Sequence, residues 1–311
     1  MITRRALLKG LGAFVAGGAG LSGYAFGLEP FRLIETHYRL TPPGWPKGLR
    51  LKLAVLADIH ACEPWMGVGR IRSIVARTNA LAPDATLLLG DYVVAHKWIS
   101  GRVPSAEWAL ALAGLTAPLG VHAVLGNHDW WDDKVAQRRG HGPTEAHVAL
   151  SSVAIQVYEN DAVRLSKDGH GFWIAGLGDQ YAFLRRGSKG LFSTGVDDLK
   201  GTLAQVTDGA PVILMAHEPD IFPRVPPRVA LTISGHTHGG QIRVFGKIPF
   251  TPTGRREQYA YGHFVERGTE RFPEGERNLI VSGGLGCSLL PVRFGAVPEI
   301  VIIEFGDMDA A

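Results

Sequence analysis

Cysteine is scarce in this chain: Cys62 and Cys287 are the two among 311 residues, too few for a disulfide framework. Net charge is scarce as well. Lys and Arg number 32 against 29 Asp and Glu, and the excess of three is Arg4, Arg5 and Lys9. Beyond residue 27 the balance is 32 − 3 = 29 basic residues against 29 acidic. A neutral body lacks the basic face that grips phosphate backbones, so no nucleic-acid partner is expected. Arg255, Arg256, Arg267, Arg271 and Arg277 fall close together late in the chain, and most are expected on a solvated loop face. No composition shift, low-complexity linker or internal repeat divides the chain. One domain is therefore expected over residues 48–306, with a tail over 307–311. Long, strongly apolar runs are missing too. The uncharged stretch 10–28 holds seven glycines and is near the minimum length for crossing a bilayer.

The first 27 residues read as an address. Two consecutive arginines, Arg4 and Arg5, precede this mildly apolar stretch, an order that resembles a twin-arginine export signal. Small residues around Phe26 place a cleavage site after Gly27. The alternative is an uncleaved N-terminal anchor with its positive end inside. Residues 28–47, with a Pro-rich stretch over 41–46, read as a linker. The expected location is the periplasm or the outer face of the inner membrane, with the export machinery as a partner. Membrane anchoring is the alternative.

Five short motifs follow in order: Asp58-Ile59-His60, Gly90-Asp91, Gly126-Asn127-His128-Asp129, a lone His217, and Gly235-His236-Thr237-His238. Each comes after an apolar, β-prone run. Asp58, His60, Asp91, Asn127, His217, His236 and His238 are seven candidate metal ligands, with His128 in addition. That set suffices for two divalent ions sharing a carboxylate, with positions left for water and substrate. Asp91 is the natural bridge, because two close cations need an anion between them. Residues i and i+2 of an extended segment point the same way, which brings Asp58 with His60, and His236 with His238, toward one ion. The mixed nitrogen and oxygen set suits Mn, Fe or Zn. Cys62, two residues past a candidate ligand, is expected to be a small packed side chain, since oxygen-rich sites seldom need a thiolate. His96 and His122 have no spacing that assigns them to the site. Of Trp130 and Trp131, at least one is expected to face the cleft and stack on a base, sugar or acyl chain.

The apolar patterning predicts strands over 51–57, 86–89, 121–125, 162–165, 172–177, 212–216 and 231–234. It predicts helices over 69–81, 105–115, 144–151 and 196–206. The C-terminal part, including 241–245, 279–281 and 299–305, reads as mainly β. Strand–helix alternation followed by β-rich segments predicts an α/β sandwich. In such folds ligands gather on loops past the carboxyl ends of strands, and all five motifs occupy that kind of position.

These motifs, over about residues 50–305, resemble those of the calcineurin-like metallophosphoesterase superfamily. The resemblance implies a sandwich of two mixed β-sheets flanked by helices. It implies that Asp58, His60 and His238 hold one ion, that Asn127, His217 and His236 hold the second, and that Asp91 bridges them. His128 would stand beside the scissile phosphate as general acid, and Asp129 would orient its ring and raise its pKa. The expected activity is hydrolysis of phosphoester bonds in small phosphorylated or lipid-linked substrates, most readily diesters. Finer features, among them Gly90-Asp91-Tyr92-Val93 and Gly239-Gly240-Gln241, look like those of exported or membrane-associated bacterial phosphodiesterases. That branch is similar to a UDP-2,3-diacylglucosamine pyrophosphatase of lipid A synthesis, which stands as the alternative function. A metal-poor binding scaffold should have lost ligands, and none is lost here. A nuclease would need a basic groove or an added domain, and a protein phosphatase would not need an export signal.

Overall fold

The computed structural model describes residues 3–94, 96–188, 190–249 and 258–306. Alternation of buried side chains builds its two main sheets. In the strand Leu51–Leu56, Leu51, Leu53 and Val55 join one buried cluster while Ala54 and Leu56 join another. Ile213 and Met215 of Val212–Met215 likewise part from Val212 and Leu214. Strands apolar on both faces need cover on both. Each such Leu or Ile contributes about 1.5–3 kcal/mol when fully buried.

The cover comes from a layered arrangement. One six-stranded sheet runs Ile34–Leu40, Glu299–Phe305, Leu51–Leu56, Ala85–Leu88, Val121–Ala123, Gln156–Val157. The other runs Gly262–Arg267, Glu276–Val281, Val229–Ser234, Val212–Met215, His170–Gly176, Asp161–Lys167. Leu53, Val55 and Leu87 of the first meet Ile174, Ile213 and Ile233 of the second. Helices Val68–Ala80, Ser105–Leu112 and Glu145–Ser152 cover the outside of the first sheet, and Leu199–Ala204 and the 3-10 turn Pro219–Arg224 cover the second. The expected two-sheet sandwich flanked by helices is the architecture found. In both sheets the central strands are parallel, so their carboxyl ends gather on one side of the sandwich.

Residues 28–47 are not a bare linker. Ile34–Leu40 pairs in parallel with Glu299–Phe305 along its whole length. The Thr36 hydroxyl donates to Glu299, and Glu29 is buried, accepting from the Ala296 amide at 2.8 Å. Trp45 stacks on Phe305 with centroids 4.4 Å apart and donates to the Leu49 carbonyl. The strand escaped sequence reading because it lies at a sheet edge, half-exposed and polar on alternate positions, with a partner some 260 residues away in sequence.

Two further expectations change. Residues 241–245 form no strand: Ile242 pairs singly with Phe294, and Val244 with Lys247. Arg277 is buried rather than solvated, donating to the carbonyls of Phe222 and Val225 beneath the ring of Phe272. Arg255, Arg256 and the expected tail over 307–311 lie outside the described residues.

The N-terminal segment is helical over Arg4–Gly27, and its last turn meets the domain. Tyr24 sits edge-on to Phe294, and the Ala25 carbonyl accepts from the Arg293 amide at 3.0 Å. Among the described residues no helix is long and apolar enough to cross a membrane. Removal of residues 1–47 is expected to lower the melting temperature by more than about 5 °C relative to removal of residues 1–27. Equal melting temperatures in calorimetry would return the segment to the status of a linker.

Candidate metal centre

Each motif sits in the loop just past a central strand, and the loops converge where the two sheets meet. Asp58 and His60 follow Leu51–Leu56, Asp91 follows Ala85–Leu88, and Asn127 begins the short helix Asn127–Trp131 after Val121–Ala123. His217 follows Val212–Met215, and His236 and His238 follow Val229–Ser234. Asp58, His60, Asp91 and His238 place one ligand atom each within 4.8 Å of one another, and Asp91, His217 and His236 do the same. All are buried. Asp91 belongs to both groups.

The backbone that achieves this is not extended. Asp58, His60, Asp91, His236 and His238 have φ of 54°, 47°, 57°, 68° and 53°, a region that residues other than glycine seldom occupy. Left-handed turns, not the two-residue repeat of a strand, turn the paired side chains inward. Such conformations cost about 1–3 kcal/mol each and persist where the surroundings over-determine them. Glycine allows the loops to touch. A Cβ on Gly126 would lie 2.6 Å from the Asp91 amide nitrogen and 2.7 Å from His217 Cε1, and one on Gly284 would lie 2.7 Å from Asp58 Oδ2.

The imidazoles are oriented by backbone carbonyls. His60 Nδ1 lies 2.7 Å from the Val93 oxygen and His217 Nδ1 lies 2.6 Å from the Leu89 oxygen. These acceptors hold the proton on Nδ1 and leave Nε2 with its lone pair, the arrangement that metal-binding histidines use. His60 Nε2 then lies 3.1 Å from His238 Nε2 and 3.5 Å from Asp91 Oδ2, while His217 Nε2 lies 3.3 Å from the same oxygen. The Asn127 amide oxygen is 2.8 Å from His236 Nδ1. Asp58 Oδ2, His217 Nε2 and His236 Nε2 are buried without an aligned hydrogen-bond partner. Lone pairs gathered in a dry pocket, several of them unpartnered, fit divalent cations and little else.

Electrostatics agree. Burial holds His60 and His236 down to about 3, which keeps both neutral and able to ligate. Burial raises the Asp58 carboxyl to about 7, with Asp91 adding to it. Burial also opposes charge on His217, yet the Asp91 carboxylate outweighs it and pushes this imidazole well above its ordinary value. Asp91, despite its burial, stays well below the usual carboxylate range because His217 and His128 stand beside it. The field at this point favours positive charge.

His128 is not among the ligand groups. Its amide donates to Asp91 Oδ1 at 2.8 Å, and its side chain reaches a cavity of about 520 Å³ lined also by Asn127, Trp131, Tyr181, Phe192 and Leu289. Asp129 does not orient it. The Asp129 carboxylate instead accepts from the amides of Asp91 (2.8 Å), Tyr92 (2.9 Å), Val93 (3.3 Å) and Gly126 (2.9 Å), latching the second motif to the third. The carboxylate beside the ring is that of Asp132, one helical turn on, with Oδ2 3.4 Å from His128 Nδ1. Burial works against charge on His128, but Asp91 and then Asp132 raise its pKa.

The tryptophan pair divides as expected: Trp130 is buried in the core and Trp131 lines the cavity. Cys62 is a buried free thiol raised to about 11 by its burial, and it belongs to neither ligand group. His122 is bonded to the Tyr158 hydroxyl and the Leu119 carbonyl, and His96 is likewise outside the ligand groups. Sequence reading missed Arg293. Fully buried, it donates to the carbonyls of Gly286 and Ala296 and lies 3.5 Å from His238 Nδ1, fixing the Gly284–Gly286 loop against the site. What was missed is its role: it stands in the closing stretch Pro291-Val292-Arg293-Phe294, one of the finer family-like features, but its partners are main-chain oxygens that sequence does not reveal.

Comparison with known proteins gives the same reading independently. The family model described as calcineurin-like phosphoesterase matches residues 51–240. The chain is similar to the uncharacterized metallophosphoesterase YkuE of Bacillus subtilis, 29% identical over 97% of this chain and 96% of that one. It is also similar to the phosphodiesterase YaeI of Escherichia coli, 28% identical over 98% of this chain and 99% of that one. An uncharacterized metallophosphoesterase of Aquifex aeolicus is 27% identical over 89% of this chain and 93% of its own length. The finer likeness to a UDP-2,3-diacylglucosamine pyrophosphatase is not carried by these matches.

Gly126→Ala is expected to keep the fold by circular dichroism while at least halving the divalent metal retained, as read by elemental analysis after dialysis. Retention equal to that of the parent would mean that the contact of Gly126 with Asp91 and His217 is not needed to form the site.

Proposed function

Since this chain belongs to the calcineurin-like phosphoesterase family and is a metal-dependent hydrolase of phosphoester bonds, we propose that it is a phosphodiesterase. The observation that carries this reading is Asp91, shared by two buried ligand groups. Asp58, His60, Asp91 and His238 would hold one ion, and Asp91, Asn127, His217 and His236 the other. Such ions, when bound, supply Lewis acidity at phosphoryl oxygens and activate water at neutral pH. Diesters are favoured over monoesters by the cavity lining. Among the described residues it offers no Lys or Arg for the second charge of a monoester, and it sets Trp131, Tyr181, Phe192 and Leu289 where a second ester substituent would lie.

In the reaction a water oxygen, its proton released to solvent, bonds to phosphorus as the P–O bond to the leaving alcohol breaks. The leaving oxygen takes a proton from His128 Nε2. Asp132, at Nδ1, orients the ring and stabilises its cationic form; a contact of 3.4 Å is of the length that tightens when substrate binds. Asp129 keeps the second and third motifs in register, and its charge adds to the raised pKa of His128. Similarity to YaeI of Escherichia coli, a phosphodiesterase, supports the same preference.

We propose export by the twin-arginine route, which carries folded passengers. The consecutive Arg4 and Arg5 support this, as does the glycine-rich helix behind them.

Metal-loaded protein is expected to turn over bis-p-nitrophenyl phosphate at least about tenfold faster than p-nitrophenyl phosphate; the reverse order would overturn the diester assignment. Asp91→Asn should abolish turnover and lower metal retention. His128→Ala should retain both metals and slow esters with poor leaving groups most, by roughly 10²–10⁴-fold; equal slowing of good and poor leaving groups would remove the general-acid role. Cell fractionation tests export: an Arg4→Lys, Arg5→Lys double variant should stay in the cytoplasm, and an unchanged location would refute this route.

A further inference from the structure

The mouth of the metal cavity is bordered by apolar side chains that the reaction chemistry leaves unused. Phe192 and Leu289 line the cavity and are nevertheless 51% and 64% exposed. Beside Phe192, Leu191 is 75% exposed. Leu290 continues from Leu289 into an adjoining groove shared with Phe26, Trp65 and Trp98, of which Trp98 is 64% exposed. Single exposed leucines are ordinary. Large exposed apolar groups gathered at one opening, in the groove beside it and on the outer face of the neighbouring hairpin mark an interaction surface.

Two features show that the border is built. Leu289 has φ 63°, a conformation that bulky residues rarely hold, and Gln241 fixes the turn. Its Nε2 donates to the carbonyls of Ser288 (2.9 Å) and Leu290 (3.3 Å), and its Oε1 accepts from the Ser288 amide. A strained backbone thus holds a leucine out in water. Across the opening, the hairpin Phe183–Gly187 with Gly190–Thr194 sets cations against apolar groups on both its faces: Arg185 opposite Phe192 on the face toward the cavity, and Arg186 opposite Leu191 on the other. Both arginines are exposed. Arginine stems lie along apolar surface while the guanidinium reaches outward.

We propose that this border docks on an anionic lipid bilayer and that the substrates are phosphodiesters carried on lipid headgroups, which enter the cavity past Phe192 and Leu289. The substrate half of the inference rests on the phosphodiesterase reading; the docking half does not. Apolar side chains that enter the acyl boundary, interleaved with cations at headgroup level, are the composition an interfacial site requires. The groove ends at Phe26 in the helix Arg4–Gly27. A second copy is a poorer occupant. A two-fold interface presents the same patch from both sides, so both faces would bring Arg185 and Arg186 to it as like charge.

The test is co-sedimentation of the full chain with vesicles of phosphatidylcholine, with and without about 25% phosphatidylglycerol. Binding is expected to be at least about tenfold stronger to the anionic vesicles. The triple variant Trp98→Ser, Leu191→Ser, Leu290→Ser should lose about tenfold of that binding while hydrolysing bis-p-nitrophenyl phosphate at the parent rate. Arg185→Gln with Arg186→Gln should abolish the anionic preference. A triple variant that sediments like the parent, or a parent indifferent to vesicles, overturns the docking. So does a parent that ignores vesicles and dimerises through these residues in sedimentation velocity. For the substrate, a phosphodiester headgroup in vesicles should be cleaved faster than its deacylated, water-soluble form; equal or faster cleavage of the soluble form overturns the lipid assignment. If the metal-loaded protein cleaves neither soluble nor vesicle-borne diesters, the phosphodiesterase reading fails, while sedimentation still decides the docking.

Discussion

One carboxylate sets the terms for the rest of the active region. Asp91 stands where two groups of imidazoles both reach it, buried to about 1% exposure. A charge in so dry a place is costly unless opposite charge and hydrogen bonds surround it. Its Oδ1 takes the His128 amide, and its Oδ2 has His60 and His217 within 3.5 Å. Keeping that environment closed requires loops from both sheets to approach at backbone contact. Hence glycines stand at 90, 126, 235 and 284 where any Cβ would collide with a neighbouring loop, and five ligand residues accept left-handed backbone.

The third motif shows how adjacent residues divide the work. Asn127 turns its amide oxygen toward His236, His128 looks into the cavity, and Asp129 turns away from both to gather four backbone amides. A carboxylate accepting several amide hydrogens is a strong, directional tie. It fixes the peptide that carries Asp91 against the helix that carries Asn127. The acid of this motif is thus a fastener, and the ring of His128 takes its partner from Asp132, a residue with no place in the motif.

Sequence reading recovered what depends on local order. The strand ends, the ligand residue types and their succession along the chain were all legible, because each motif follows an apolar run and carries donors of one chemical kind. The two-sheet sandwich was legible for the same reason. What depends on distant partners was not. Ile34–Leu40 reads as linker until Glu299–Phe305 is placed beside it. Arg293 reads as an ordinary arginine until the carbonyls of Gly286 and Ala296 surround it. The i, i+2 geometry paired Asp58 with His60 correctly but for the wrong reason, since positive φ values and not extended backbone turn those side chains inward; it failed for His236 and His238, which fall in different ligand groups. Of the two effects that the resemblance implied for Asp129, the rise in the His128 pKa holds, whereas orientation of the ring passes to Asp132.

The place of Glu299–Phe305, inserted between Ile34–Leu40 and Leu51–Leu56, bears on how the molecule is made. Strands from opposite ends of the described chain are neighbours, so the first sheet is left with a gap while the nascent polypeptide is still being translated. Loop closure on that scale is slow and comes late in folding. Any ion met by the growing chain finds donors not yet gathered, and capture of the metals becomes an event of the finished molecule.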